Sequence, residues 1–203
     1  MEPSIGNKIV YNLRQKYTHR AIEGDQRFVE SVIHILRKYQ AQWEATDRFL
    51  DEIVQMIYRN YRIREVSIGL LCLKDDAYRY VSFCGFRKEA EAALRKLSYR
   101  KEDFEVGKSI SNLTWVFLSE EKSYIKGEES TFNRPLLLAK LERESIDSCL
   151  EGDYFDTQIY DRKNRMIGWI EYSGTQDYQF PDIHVIKEIE LISLIISIAL
   201  ERS

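Results

Sequence analysis

The last stretch of the chain, Ile183–Leu200 (IHVIKEIELISLIISIAL), sets the strongest limit on how it can fold. At 3.6 residues per turn its apolar residues cover nearly the whole circumference, and a soluble helix of that kind has to be buried on more than one side. One side can rest on a sheet. The other needs a further apolar surface, and a second copy of the chain is the simplest source. Ser193 and Ser197, one turn apart, would allow a partner helix to approach closely, with Ile189, Ile196 and Leu200 beside them. The run Leu191–Leu200 is about half of the roughly 20 residues that cross a bilayer, so no membrane is expected as a partner.

A second helical signal lies near the other end. Val29, Leu36, Trp43, Leu50 and Ile57 fall seven apart, and Val32, Tyr39, Thr46 and Ile53 stand three further on. That is an a/d seam of about four heptads, a coiled-coil pattern that wants a partner helix. A continuous helix over 26–61 would be about 54 Å long. A break at Thr46-Asp47 is the alternative, because both are good N-caps and the d position turns polar there. A single helix lying on its own sheet is the other alternative. The pattern divides the chain into an N-terminal arm (1–24), a heptad-patterned helical extension (25–48) and a main domain (49–203).

Within the main domain, Val66–Leu73 and Tyr78–Phe83 read as a β-hairpin around Asp75-Asp76, closed by Gly85. Lys88–Leu97 (KEAEAALRKL) is an amphipathic helix of strong formers, and Ile110–Leu118 reads as a third strand. Tyr154–Tyr160 and Met166–Tyr172 pair around Asp161–Arg165. The intervening stretch 119–151 carries a possible helix start behind Pro135, and reads either as a binding loop or as an ordinary surface excursion. The class is α+β.

The chain has 203 residues, with 30 Lys+Arg against 33 Asp+Glu and a formal net charge of -3. No basic excess exists to neutralise phosphates, so nucleic acid is not an expected partner. No apolar run follows the basic residues near the N-terminus, as a secretory signal would require. Cys72, Cys84 and Cys149 are odd in number and form no CxxC pair, which points to a reduced, cytoplasmic protein.

Three stretches together resemble the GAF domain, specifically an archaeal and bacterial signalling subgroup found beside histidine kinases. Val81–Phe104 is similar to its glycine-aromatic, helix, then Tyr/Ser-x-x-Asp-Phe run. Asp161–Tyr172 resembles its closing hairpin, and Pro181–Glu201 its terminal helix. The agreement covers about residues 49–201 and lies in order and spacing. Two departures stand out: Asp156 and Gln158 replace the usual apolar, proline-bearing strand, and Ser173-Gly174 replaces a common acidic pair. The resemblance implies a central antiparallel sheet with terminal helices packed on one face, a ligand pocket on the other, and a homodimer formed through those helices, with the long N-terminal helix leading in.

The resemblance also frames the chemistry to be tested. The cysteines precede Leu73, Gly85 and Leu150, which argues against covalent bilin attachment. His19, His34 and His184 are poorly placed to serve as axial haem ligands. A free methionine sulfoxide reductase branch would need an exposed, low-pKa thiolate, and only Cys149 lies in a loop region. No other catalytic set is present, and the cofactor remains unknown. Alternation on the strands puts Asp156 and Gln158 on one face, Trp169 and Glu171 on one face of the next strand, and Trp115 on a third. These are the candidate ligand-binding residues; core-filling tryptophans and solvent-facing polar groups are the alternative. The expected function is a non-catalytic sensory or regulatory module that binds a small molecule or signalling protein. A dimerisation protein without a ligand is the second reading, and the redox enzyme the third.

Overall fold

The β-type runs assemble into one sheet. In the computed structural model, which describes residues 24–39, 47–104, 107–119, 128–137, 143–145 and 147–201, six strands lie in the order β2-β1-β6-β5-β4-β3, every neighbouring pair antiparallel. They are β1 (Val66–Cys72), β2 (Ala77–Cys84), β3 (Lys108–Ser109), β4 (Thr114–Phe117), β5 (Tyr154–Tyr160) and β6 (Met166–Tyr172). Both expected hairpins form. Asp76 and Asn164 supply positive φ at their turns, a conformation Asn and Asp tolerate better than most residues. Gly85 (φ +86) ends the first hairpin, and a Cβ there would strike the Arg64 carbonyl. The strand expected over Ile110–Leu118 is confined to Thr114–Phe117: Ser111 Oγ accepts from the backbone N–H of Leu113 and Thr114, and that local turn separates β4 from the short β3 before it.

Four helices accompany the sheet: α1 (Gly24–Tyr39), α2 (Asp47–Tyr61), α3 (Lys88–Leu94) and α4 (Ile183–Leu200). One face is covered by α2, against β1 and β2, and by α4, against β5 and β6. Ile53, Ile57, Ile68, Ile170, Ile189 and Ile192 form the heart of that layer, each at most 2% exposed. The helix α4 starts at an N-cap, Asp182, whose carboxylate accepts from the His184 N–H at 3.1 Å. Pro181 therefore stands just outside the helix. Behind the other face, α3 and an aromatic cluster of Tyr78, Tyr80, Phe104 and Trp169 make a second, smaller core. Tyr78 and Tyr80 reach it because the β1–β2 register slips between Ile68 and Gly69. The slip lets Ser82 face α2, where its hydroxyl donates to Asp51.

The heptad pattern is resolved differently from a continuous seam. Phe28 meets Tyr61 (6.2 Å between centroids), Tyr39 meets Phe49 (5.1 Å), and Asn60 donates to Ser31 at 3.1 Å. These contacts pair the start of α1 with the end of α2, so the two helices form an antiparallel hairpin within one chain. Phe28, Ile35 and Tyr39 are buried there, whereas Val29 is 50% exposed and Leu36 only partly covered. The packed face of α1 thus lies one residue away from the a positions of the heptad. The expected boundary between 48 and 49 falls inside α2. Trp43, Thr46, His19 and the arm over 1–23 lie outside the described residues.

The expected interface residues divide accordingly. Leu50, Ile57, Ile189, Ser193 and Ile196 are all buried in the core of the single chain, and Leu200 is partly covered. Ser193 Oγ donates to the Glu190 carbonyl and Ser197 Oγ to the Tyr160 carbonyl. The serines therefore satisfy backbone groups in their own chain and do not open a face for another helix. The apolar residues that α4 leaves outside are Ile183, Leu191, Leu194 and Ile198, each about half exposed. Among the described residues no helix is long and apolar enough to cross a membrane.

Candidate functional site

The strand alternation that hides isoleucines on the helix-covered face puts a different set on the reverse. Asp156 stands directly opposite Glu171, Gln158 opposite Trp169, and Trp115 opposite Asp156. All five candidate residues therefore share the outer face. Three of them, Asp156, Trp169 and Glu171, line a cavity of about 450 Å³. The other two do not. Gln158 is buried and accepts from the Tyr160 hydroxyl, and Trp115 lies beside the cavity without lining it.

Trp169 forms the floor and is 1% exposed. Its indole lies flat over Gly69, where a Cβ would fall less than 3.0 Å from three ring carbons. The glycine is what lets so large a side chain lie against the sheet. Phe104 (4.9 Å), Tyr80 (5.0 Å) and Tyr99 (5.9 Å) surround the indole with their ring centroids. Phe117, stacked on Tyr154 at 4.6 Å, closes the far wall. Tyr80 OH donates to Glu171 Oε2 at 2.7 Å. Burial pushes the Tyr80 phenol well above its ordinary value, with the charges of Glu171, Tyr99 and Asp156 adding to that, so it is a fixed donor at neutral pH. Reasoning from strands alone missed Tyr80, Tyr99, Phe104 and Phe117. The Tyr99…Glu102-Asp103-Phe104 run was the available signal, since it is one of the stretches that carried the family resemblance.

A second cavity of about 400 Å³ adjoins the first and shares Tyr80, Tyr99, Tyr154 and Glu171 with it. The described part of the 119–151 excursion lines it through Ser130–Asn133 and Glu151. Asn133 pins that segment to the sheet: its Oδ1 accepts from Arg87 N, and its Nδ2 donates to Glu65 Oε1 and to the Gly85 carbonyl, all within 2.9 Å. Asp153 does the same for the rim, accepting from Ser119 N, Leu150 N and Arg143. Burial raises the Glu151 carboxyl, aided by Glu65, although Arg134 N donates to it and Arg64 lies 3.9 Å away. Past Pro135 the chain makes a 3-10 turn, Pro135–Leu137; the helical continuation expected there falls on residues 138–142, outside the described set.

Cys149 is 1% exposed, and burial pushes its thiol up to about 12 despite the nearby Arg64 guanidinium. That is the reverse of an activated thiolate. Cys84 is raised as well, by burial. His34 and His184 stand exposed on α1 and α4 and line neither cavity. Among the described residues no group of His, Cys, Asp or Glu could hold a metal ion.

A sheet of this order, with the N- and C-terminal helices on one face and an aromatic cavity on the other, has counterparts among solved structures. The GAF domain of a phosphoenolpyruvate-protein phosphotransferase from Acinetobacter superposes with a TM-score of 0.55 at 14% identity, covering 86% of this chain and 92% of that one. The fold is that of GAF domains. A GAF domain/HD domain protein from Geobacter sulfurreducens matches with a TM-score of 0.58 at 9% identity (80% of this chain, 95% of that one). The nlh2 GAF domain of A. aeolicus, solved in an inactive state, gives 0.55 at 13% identity (88% and 98%). No protein-family model matches the chain, and no curated protein matches it in sequence. At these identities the likeness carries the fold alone.

Proposed function

We propose that this chain is a regulatory module whose outer-face cavity takes up a small molecule and whose helical face reports occupancy to a partner. One observation carries the reading. The strands that present Asp156 and Glu171 to the cavity present Thr157 and Tyr172 to the opposite face, one residue along. Thr157 Oγ1 lies 2.9 Å from Thr114 Oγ1 and 3.3 Å from the Tyr172 hydroxyl. Thr114 Oγ1 donates at 3.0 Å to Glu190 of α4, which also accepts from Ser111 and, at 2.8 Å, from Lys187. A buried polar chain therefore runs from the strands behind the cavity to the terminal helix. Such a chain has discrete hydrogen-bonded arrangements, and a ligand can bias them only by binding one arrangement more tightly than another.

The reporting surface in this reading is the exposed apolar stripe of α4 (Leu191, Leu194, Ile198), with Val29 and Ile33 of α1 as a second exposed patch, and the partner is a second copy of the chain. The formed cavity favours a sensor over a ligand-free dimerisation protein, and the buried Cys149 disfavours the reductase. The solved likenesses include GAF domains of a phosphoenolpyruvate-protein phosphotransferase and of a putative sensor histidine kinase, which supports a regulatory setting. Three cysteines standing as thiols suit a cytoplasmic one. Hydrogen exchange with the cavity occupied and emptied tests the relay. Altered protection of α4 around Glu190, abolished by Glu190→Gln with the ligand still bound, supports it. Changes confined to the outer face would overturn it.

A further inference from the structure

Beyond that reading, we infer that one end of the sheet carries a docking groove for a short acidic segment of another protein, one with leucine-like anchors. The groove, of about 510 Å³, lies between the two hairpin tips and the last turn of α4. Its floor is apolar for a reason of packing. Leu70, Ile167 and Leu200 fringe the helix-side core, and Leu71 fringes the aromatic one. Both cores run out at this end and leave these four side chains only partly covered. Leu73, on the tip of the first hairpin, is 76% exposed. A lone exposed leucine is ordinary, but one beside four half-covered apolar neighbours marks a contact surface.

The walls are fixed before anything binds. Arg100 donates to the Asp75 and Asp76 carbonyls at 3.1 and 2.9 Å, which holds the first tip. Asp161 accepts from the Lys163 and Arg165 N–H groups at 2.9 and 2.8 Å, and Glu201 accepts from the Arg162 N–H at 2.7 Å. Those bonds hold the second tip against the end of α4. A preformed groove spares an incoming segment the cost of ordering it.

The rim sets the partner's charge. Arg162, Lys163 and Arg165 stand against two carboxylates, Asp161 and Glu201, a local positive excess in a chain of net charge -3. Each carboxylate is met by one arginine through Nε, Asp161 by Arg165 at 3.1 Å and Glu201 by Arg162. Among the described residues the terminal nitrogens of both arginines make no hydrogen bond, and Lys163 has no ionic partner. Such nitrogens suit incoming carboxylates. Small-molecule sites bury roughly 70–90% of their ligand, which walls as open as Leu73 and the Arg162 side chain, both 76% exposed, do not do. A segment that lays apolar side chains on the floor and carboxylates on the rim fits instead.

The test is fluorescence anisotropy of three labelled peptides titrated with the full chain. They share one leucine pattern, and their polar positions are glutamate, glutamine or lysine. The glutamate peptide is expected to bind, the glutamine peptide about tenfold more weakly and the lysine peptide more weakly still. That spread should shrink as salt rises from about 50 to about 500 mM. Leu73→Asp and Lys163→Glu, both at exposed positions and checked for unchanged melting, should each weaken the glutamate peptide about tenfold. Leu136→Asp, at an 82% exposed leucine outside the groove, should change nothing. Failure of the glutamate peptide to bind, or binding indifferent to peptide charge or to the Leu73 and Lys163 variants, would overturn the proposal. Weaker self-association of Leu73→Asp in sedimentation would overturn it in favour of a second copy. Capture by anionic phospholipid vesicles, abolished in the same two variants, would overturn it in favour of a membrane surface.

Discussion

Gly69 offers the sharpest test of how the cavity is built. Considered as a strand residue alone, Gly69→Ala should stabilise, since glycine inside a strand costs roughly 0.5–1 kcal/mol relative to alanine. Packing argues the other way. The new Cβ would sit inside the Trp169 ring, and that indole could shift only by displacing the rings packed on it. It is 1% exposed and hemmed in by Phe104 and Tyr80 at centroid distances of 4.9 and 5.0 Å. Overpacking a filled core costs about 1–3 kcal/mol, so the net expectation is a loss of ~1–2 kcal/mol, or roughly 2–8 °C in melting temperature for a chain of this size. Urea denaturation followed by tryptophan fluorescence reads the change directly. A variant as stable as the parent, or more so, would refute the claim that Trp169 lies closed down on Gly69 as the cavity floor.

Other consequences can be checked with single variants. Burial raises the Glu190 carboxyl, but its hydrogen bonds from Lys187, Ser111 and Thr114 outweigh that and hold it below its ordinary value. Its contribution to stability is therefore present above about pH 4.3 and lost as the pH falls further. Glu190→Gln should flatten the acid limb of the stability profile, and an unchanged limb would contradict the network. Cys149, with its thiol at about 12, should resist a thiol reagent at pH 8 in the folded protein and react only on unfolding; rapid native labelling would reopen the redox reading. Leu194→Glu removes a half-exposed residue from each copy of a symmetric pair, at about 1 kcal/mol per copy, and should weaken self-association roughly 30-fold with the fold intact. Leu50→Glu, by contrast, should unfold the chain, because Leu50 is core.

Most of the sheet was legible because each strand carries its own signal. Tyr78–Phe83, Tyr154–Tyr160 and Met166–Tyr172 are β-rich runs bounded by turn residues, and alternation alone puts Asp156 with Gln158 on one face of their strand and Trp169 with Glu171 on one face of the next. It could not say where along those faces a cavity opens, so Trp115 and Gln158 were grouped with the rest although they lie outside it. Tyr80, Tyr99 and Phe104 come from β2 and from the segment after α3, and only the fold brings them onto Trp169. The heptads allowed either a continuous seam or a break at Thr46-Asp47, and α2 starts at Asp47. Spacing by sevens describes a helix face that wants a helix, but α1 packs on α2 through Phe28, Ile35 and Tyr39 and leaves Val29 outside. Likewise, α4 is apolar all round, yet Ile189 and Ile196 are the residues that face the sheet, while Leu191, Leu194 and Ile198 remain outside.

The central claim is that the outer-face cavity holds a small molecule, and native mass spectrometry of the full chain after incubation with a cytosolic metabolite extract tests it most directly. The account predicts a discrete added mass of metabolite size that disappears on denaturation and is lost in the Asp156→Asn variant. Bare chain mass under the gentlest conditions, or an adduct indifferent to Asp156, would contradict it.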